Sequence, residues 1–452
     1  MAARDGAGPG LENAGHPFDF QPPPAAGARV LIHGLNFAPE PTGIGRYTGD
    51  MAAWLAEQGH AVRVVTAYPY YPHWRLAPGY PAWRWSRERT GEGVEVLRCP
   101  LWVPRAPTGL TRILHLVSFA LSSGPVAIWQ AWRFRPDLVL TIEPSILTAP
   151  FALAAARLCG ADSWLHVQDL ELGAAERLGL LSGKRWAARL MGAVYRRTLR
   201  AFHRVTTLSE RMRAKLAELG RPADEIGLFP NWVDTAKYRP VDATAMRAEL
   251  GLGPDSVCVL YAGNLGEKQG ALSLLDLASL LEGDPRIRLV ICGAGAARAR
   301  IEARLGDHKN VTLLDPLLED RFVELLSAAD IHVLPQRRDI THYVMPSKLA
   351  AMMASGRAIV AQADEGCAIR EMLRGGALFV DPEATVEMAR MVRALAADRA
   401  GRARRGAVLR RQVRAMDRGA VLAQAFAHVD PWRSCNPALE PRYLDLAVTP
   451  AD

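Results

Sequence analysis

Short apolar runs that alternate with helix-periodic stretches constrain this chain most. In the first half the runs are Arg29–His33, Ala61–Thr66, Asp137–Ile142, Ser163–Val167 and Val205–Leu208, with a helical pattern over Tyr47–Gln58 closed by Gly59. In the second half they are Val257–Tyr261, Leu289–Cys292, Val311–Leu314, Ile331–Leu334, Ala358–Ala361 and Ala377–Val380. Strands that alternate with helices form parallel, doubly wound sheets, so the pattern predicts an α/β chain of two Rossmann-like domains. Such sheets turn their strand carboxyl ends toward a cleft where ligands bind. The length of 452 residues suits this organisation.

The boundaries follow from composition. Residues 1–27 are rich in Gly, Ala and Pro and read as a disordered leader without the basic and apolar regions of a secretion signal. Residues 28–229 form the first domain. Residues 230–256, rich in Pro, Asp and Gly, read as the interdomain linker. The second domain spans 257–430. Residues 431–452, with four prolines, read as an irregular tail.

Within the second half, residues 259–270 read Val-Leu-Tyr-Ala-Gly-Asn-Leu-Gly-Glu-Lys-Gln-Gly. A strand ends at Gly263, a glycine turn holding Asn264 and Lys268 follows, and a helical pattern begins after Gly270. Free backbone N–H groups and a helix dipole meet an anion in that arrangement, and a lysine adds a full charge. A second helix start, Val344-Met-Pro-Ser-Lys348, offers Pro346, Ser347 and Lys348 to a phosphate. In the first half Gly43 and Gly45 precede a helix and let backbone approach an anion, with Arg46 beside them. The spacing is not G-x-G-x-x-G and no acidic residue closes the second strand, so a dinucleotide cofactor is not indicated. Three anion sites point to a diphosphate-linked ligand gripped between two domains.

Other candidates lie near strand ends. The ring-dense Tyr68-Pro-Tyr-Tyr-Pro-His-Trp74 brings Tyr71 and His73 to a loop that can stack on sugars or simply pack. Leu165-His-Val-Gln-Asp-Leu-Glu171 holds Asp169 just past a strand, with His166, Gln168 and Glu171 beside it; His166 can equally be a satisfied core residue. The segment Leu228–Asp234 offers Asn231 and Asp234, or a plain turn.

Six scattered cysteines with no C-x-x-C pair argue against a zinc site or disulfide framework. The net charge of +8 is uneven: residues 184–221 carry +9 and residues 390–418 carry +8. Arg185, Arg189, Arg196, Arg200 and Arg204 recur mostly at four-residue steps, a helix face that is either solvated or meets anionic lipid. No nucleic-acid-binding signature is present. Between Arg112 and Arg133 lie twenty uncharged residues. Their serines, His115 and central Gly124-Pro125 favour a buried or membrane-grazing helix over a true span.

Taken together, Thr42-Gly43-Ile44-Gly45, Gln58-Gly-His-Ala-Val62, Pro136-Asp137, Thr207-Leu-Ser-Glu210, Pro230-Asn-Trp-Val-Asp234, Gly263–Gly270 and Ala329-Asp330 resemble glycosyltransferase family 4, the retaining GT-B enzymes, over about residues 28–427. His166–Asp169, Gly263–Gly270 and Met345–Leu349 resemble in particular its bacterial subfamily for colanic acid and related exopolysaccharides. There are departures. Asn264 stands where the family's phosphate turn usually has Arg, leaving Lys268 as that turn's cation. Gln168 replaces a usual His. The family's paired glutamates would fall at Tyr343 and Ala351.

The resemblance implies retaining, hexosyltransferase-type transfer from a nucleotide-sugar, with no cofactor and no metal. It implies donor contacts from Gly43, Gly45, Arg46, Gly263, Asn264, Lys268, Gly293, Pro346, Ser347 and Lys348. Asp169 and Lys268 would be catalytic. Tyr71, His73, His166, Gln168 and Glu171 would meet a saccharide or lipid-linked saccharide acceptor. The chain would be cytoplasmic, peripheral at the inner face of an anionic membrane. The missing glutamates leave two rivals: a non-catalytic nucleotide- or sugar-binding scaffold, and a nucleotide-sugar epimerase of the same fold.

Overall fold

The computed structural model describes residues 27–40, 43–71, 74–81, 83–105, 108–144, 146–169, 185–266, 270–337 and 348–427, without the side chains of 109, 185–191, 194 and 307. The chain divides into two units, residues 1–231 with 421–452, and residues 232–420. Each is built on one largely or wholly parallel sheet, as the alternating pattern predicts.

Eight strands make the sheet of the first unit: β1 (Arg29–Gly34), β2 (Ala61–Ala67), β3 (Ser86–Arg89), β4 (Glu95–Cys99), β5 (Leu138–Glu143), β6 (Asp162–Val167), β7 (Arg204–Thr207) and β8 (Ile226–Leu228), in spatial order 3-4-2-1-5-6-7-8. Only β3 runs antiparallel to its neighbour. β8 is only three residues long, and β3 and β4 are absent from the apolar pattern for a physical reason. The β3–β4 pair is charged: Arg63 and Arg87 both bond Glu95, at 2.7 and 2.9 Å, and Arg98 pairs with Glu88. Glu95 and Arg98 are nonetheless buried, because their charges are matched.

The second unit has six strands, β9 (Val257–Ala262), β10 (Ile287–Cys292), β11 (Val311–Leu314), β12 (Ile331–Leu334), β13 (Ala358–Gln362) and β14 (Ala377–Val380), all parallel, in order 11-10-9-12-13-14. The central strands are buried on both faces, which is why they read as continuous apolar runs.

Two boundaries differ from the sequence reading. Residues 232–256 are part of the second unit rather than a linker. They carry the helix Thr244–Glu249, and Tyr238, Met246, Leu250 and Leu252 join that unit's core. The aspartates that suggested a linker instead close turns: Asp234 accepts from the N–H groups of Ala236 and Lys237, and Asp242 from that of Thr244. At the other end, the helix Arg418–Phe426 returns to the first unit. Phe426 packs against Trp164 at 5.1 Å and Trp54 at 6.2 Å between ring centroids.

The uncharged stretch forms the helix Gly109–Phe134, with Pro125 inside it. Phe119, Ala127 and Ala131 bury one face in the core of the first unit. Gly124 is needed there: a Cβ would lie 2.4 Å from the Phe151 ring. The helix is long and apolar enough to cross a membrane, and it also covers part of this unit's sheet.

Candidate active site

In the second unit the strand order reverses between β9 and β12, the place where open α/β sheets bind ligands. Gly263 follows β9 with φ +143° and Gly293 follows β10 with φ +155°. The two turns are bonded to each other, Gly263 N–H to Cys292 O at 2.9 Å and Leu265 N–H to Ala294 O at 2.8 Å. They touch so closely that a Cβ on Gly293 would fall 1.9 Å from Gly263 O, and one on Gly295 2.5 Å from Asn264 Oδ1. Glycine is required for this double turn to close.

Two cations reach it: Arg298 Nη1 donates to Gly293 O at 2.6 Å while the guanidinium pairs with Glu302 and Asp315, and Lys348 lies close by. The Lys348 Nζ lies 3.7 Å above the ring of Tyr261, and a Cβ on Gly263 would stand 3.3 Å from that same nitrogen. Residue 348 keeps some solvent contact, but burial of its amine pulls the pKa down to about 7. Tyr261 is fully buried and its hydroxyl donates to Asn264 O at 2.7 Å, so the ring beneath the lysine is fixed. Asn264 itself is exposed. Gly270, with φ +64°, lies against Pro335 and Gln336 at the end of β12. Gln336 N–H in turn donates to the buried Gln362 of β13 at 3.0 Å. Double turn, cation and amide side chains thus share the carboxyl edge of four strands.

The first unit has its own switch point, between β1 and β5. The helix Gly43–Glu57 begins beside it. Sequence reasoning missed Glu40, which organises this corner. Its Oε1 accepts from Tyr70 and Tyr71 N–H at 3.2 and 3.1 Å, and its Oε2 from Asn36 Nδ2 at 2.9 Å. Burial pushes its pKa up against those hydrogen bonds. A Cβ on Gly45 would lie 2.5 Å from Glu40 Oε2, so this glycine answers to packing against a carboxylate. Gly43 takes φ +67° and approaches the Tyr71 ring. Arg46 is exposed on the helix.

Glu143, at the end of β5, was also missed. It is fully buried, accepts the Tyr195 hydroxyl on Oε2 at 2.9 Å, and burial raises its pKa to about 8. The negative charge of Asp169 contributes to that rise and to the raised pKa of Tyr71. Asp169, Glu143 and Tyr71 therefore belong to one electrostatic neighbourhood. Asp169 is exposed and Gln168 half-buried, just past β6.

Two family models match this architecture in the order of the two units: a glycosyl transferase 4-like domain over residues 42–232 and glycosyl transferases group 1 over residues 256–398. The chain belongs to glycosyltransferase family 4. It is 39% identical over 369 residues to the "Putative colanic acid biosynthesis glycosyl transferase WcaI" of Escherichia coli (strain K12), covering 78% of this chain and 89% of that protein. It is 31% identical over 210 residues to a D-inositol 3-phosphate glycosyltransferase of Nocardia farcinica, covering 43% and 45%. Among solved structures, sucrose-phosphate synthase from Thermosynechococcus elongatus superposes with a TM-score of 0.67 at 19% identity, over 91% of this chain and 100% of that one. Anabaena HepE in complex with UDP and glucose superposes with a TM-score of 0.62 at 15% identity, over 91% and 100%. The fold is GT-B.

Gly263, Asn264, Gly293 and Lys348 of the glycosyltransferase come together at one strand edge. Lys348 corrects the expectation that Lys268 is the turn's lone cation, because its side chain reaches back to Gly263 across the switch point. Lys268, Pro346 and Ser347 lie outside the described residues, as do His73 and Glu171. The acceptor role for His166 does not fit the structure. Its ring is 1% exposed, bonds Thr206 Oγ1 at 3.0 Å and stacks at 4.6 Å on Phe229, and burial drives its pKa down to about 3. It is a core residue. Gly45, expected to contact the donor, packs closely against the Glu40 carboxylate. Among the described residues no three His, Cys, Asp or Glu side chains gather as metal ligands.

Proposed function

We propose that this glycosyltransferase moves a hexosyl-type sugar from a nucleotide-sugar to a saccharide acceptor with retention of configuration and without a metal. The observation that carries the reading is the Lys348 amine held beneath the Gly263–Gly293 double turn at the switch point. Tight glycine turns let a backbone approach a pyrophosphate, and a cation there offsets its charge. Lys268, on the same turn in sequence, and Ser347 would complete the donor-diphosphate grip.

The chemistry fits a front-face displacement. The acceptor hydroxyl attacks the anomeric carbon on the face from which the diphosphate leaves, and its proton passes to the departing phosphate oxygen. No carboxylate is placed as a covalent nucleophile in this reading; Asp169 orients the acceptor, with Tyr71 and Gln168 beside it. Lys268 and Lys348 stabilise negative charge as it develops on the leaving group.

The acceptor in this proposal is a lipid-linked saccharide of exopolysaccharide synthesis, met at the inner face of an anionic membrane. The similarity to a protein named for colanic acid biosynthesis supports the pathway class. The basic stretch 184–221 supports the surface.

The test is a thermal-shift and transfer screen over a panel of nucleotide-sugars. A donor at 100 times its dissociation constant should stabilise the protein by about 2.7 kcal/mol, and transfer or slow hydrolysis should follow with EDTA present. Binding of no nucleotide-sugar, or binding with no turnover on any acceptor, would refute the enzyme reading and favour a scaffold. Acceptor-independent interconversion of the sugar would favour an epimerase.

A further inference from the structure

Among the described residues, one face of the helix Gly109–Phe134 carries no partner and no polar side chain at its most exposed positions. Leu110, Leu114, Leu121 and Trp132 are 63, 50, 66 and 53% exposed. At about 3.6 residues per turn these four positions fall within roughly 40° of arc, one straight stripe about 33 Å long. The outward stripe of a helix covering a soluble sheet is normally its charged side. Here it holds no charge from Ile113 to Trp132.

Two tryptophans extend the stripe sideways. Trp85 is 48% exposed and its Nε1 donates to Ser122 O at 3.2 Å; Trp102 is 38% exposed and its backbone N–H donates to Ser118 Oγ at 2.9 Å. Both are fastened to the helix, so the aromatic surface is rigid.

The surrounding charge identifies the occupant. The helices Gly109–Phe134, Ala149–Cys159 and Arg185–Ala201 cover the same face of the first unit's sheet, where Phe119, Leu153 and Leu199 share one core. Their sequences hold eight arginines and not one Asp or Glu. An apolar stripe, flanking tryptophans and covering helices whose only charged residues are arginines are what a helix lying in an anionic bilayer surface requires. A second copy of this face would instead bring the two arginine sets together.

We propose that this helix seats the first unit on an anionic lipid surface, lying in the interface plane with its leucine stripe among the acyl chains. The inference deepens the lipid-linked-acceptor reading and rests on it for its purpose. The stripe would hold the acceptor side of the enzyme at the depth of a lipid-borne hydroxyl.

The experiment uses the full chain, with vesicles of neutral phosphatidylcholine and of phosphatidylcholine containing phosphatidylglycerol. Co-sedimentation at low and high salt is compared for the natural protein, for Leu114→Asp/Leu121→Asp, and for the milder Leu110→Gln/Leu114→Gln. The natural protein should bind the anionic vesicles, more weakly at high salt. Both variants should bind at least about tenfold more weakly, while their melting temperatures and nucleotide-sugar binding in solution stay unchanged. Failure of the natural protein to bind at low salt overturns the inference. So does vesicle binding that the folded variants retain. Self-association without vesicles, abolished by the same substitutions, overturns it in favour of a second copy. Donor binding in solution is read separately, so loss of the surface leaves the transferase reading standing, and loss of donor binding strikes only the latter.

Discussion

With the diphosphate placed as proposed, the depressed lysine should make donor binding pH-dependent. Burial moves the Lys348 pKa from an ordinary 10.5 to about 7. At ~1.4 kcal/mol per pH unit, that difference disfavours the charged amine by ~5 kcal/mol in the unliganded protein. A diphosphate against the Gly263 turn reverses the balance and restores the charge. Below about pH 7 the amine is protonated with and without donor, and affinity is level. Above it the free protein holds a neutral amine, the complex recovers a proton, and affinity falls toward tenfold per pH unit. Calorimetry with the intact nucleotide-sugar measures this between pH 6.5 and 9. The sugar ester lacks the phosphate ionisation near pH 6 that free diphosphates carry. At pH 8.5, buffers of different ionisation enthalpy should report uptake of nearly one proton. Lys348→Met should bind weakly at every pH and take up none. Zero uptake, with an affinity flat from pH 7 to 9 in the natural protein, would refute the placement of this amine at the diphosphate.

Three further outcomes follow from the geometry. Gly293→Ala should lower stability by about 2 kcal/mol or more, read as a urea midpoint, because its Cβ would meet Gly263 O at 1.9 Å; a midpoint unchanged from the natural protein counts against the double turn. Stability should fall as pH drops from 6.5 toward 4. His33, His166 and His332 are held neutral by burial, at about 4, 3 and 3, so the unfolded chain takes up protons that the native state refuses, each group costing roughly 1.4 kcal/mol per pH unit. Glu143 works the other way. Its pKa of about 8 means the native state keeps a proton that the unfolded chain loses from about 4.5 upward, so its contribution fades as pH rises through 8. Glu143→Gln, which keeps an oxygen for the Tyr195 hydroxyl, should therefore gain stability over the natural protein between pH 6 and 8, and a loss there would show that Glu143 is charged.

The fold was legible because central strands in a doubly wound sheet are buried on both faces and must be apolar throughout, as Val257–Ala262 and Ile287–Cys292 are. Where burial is achieved by charge pairing, as in Glu95–Cys99, hydrophobicity carries no such signal. The site was legible in part for a related reason. Gly263 and Gly293 announce themselves as glycines at strand ends, because backbone geometry is local. What decides their use is not local. Lys348 is 85 positions from Gly263 in sequence, and only the neighbouring of β9 and β12 brings its amine over Tyr261. Glu40 and Glu143 were illegible because a buried carboxylate looks like any other acidic residue until its neighbours are known. Their presence changes what the first unit can be asked to hold. The exposed Asp169 suits a hydroxyl, which can donate to it, and repels phosphate, while Glu143 keeps its proton below about pH 8 and is neutral there. In the first unit the buried guanidinium groups of Arg63 and Arg98 are matched by Glu95 and Glu88, whereas the Lys348 amine of the second unit lies over the Tyr261 ring. The diphosphate site proposed above is accordingly the one beside Lys348, and the Gly43 corner, where Gly45 packs against Glu40, is proposed for the hydroxyl side of the reaction.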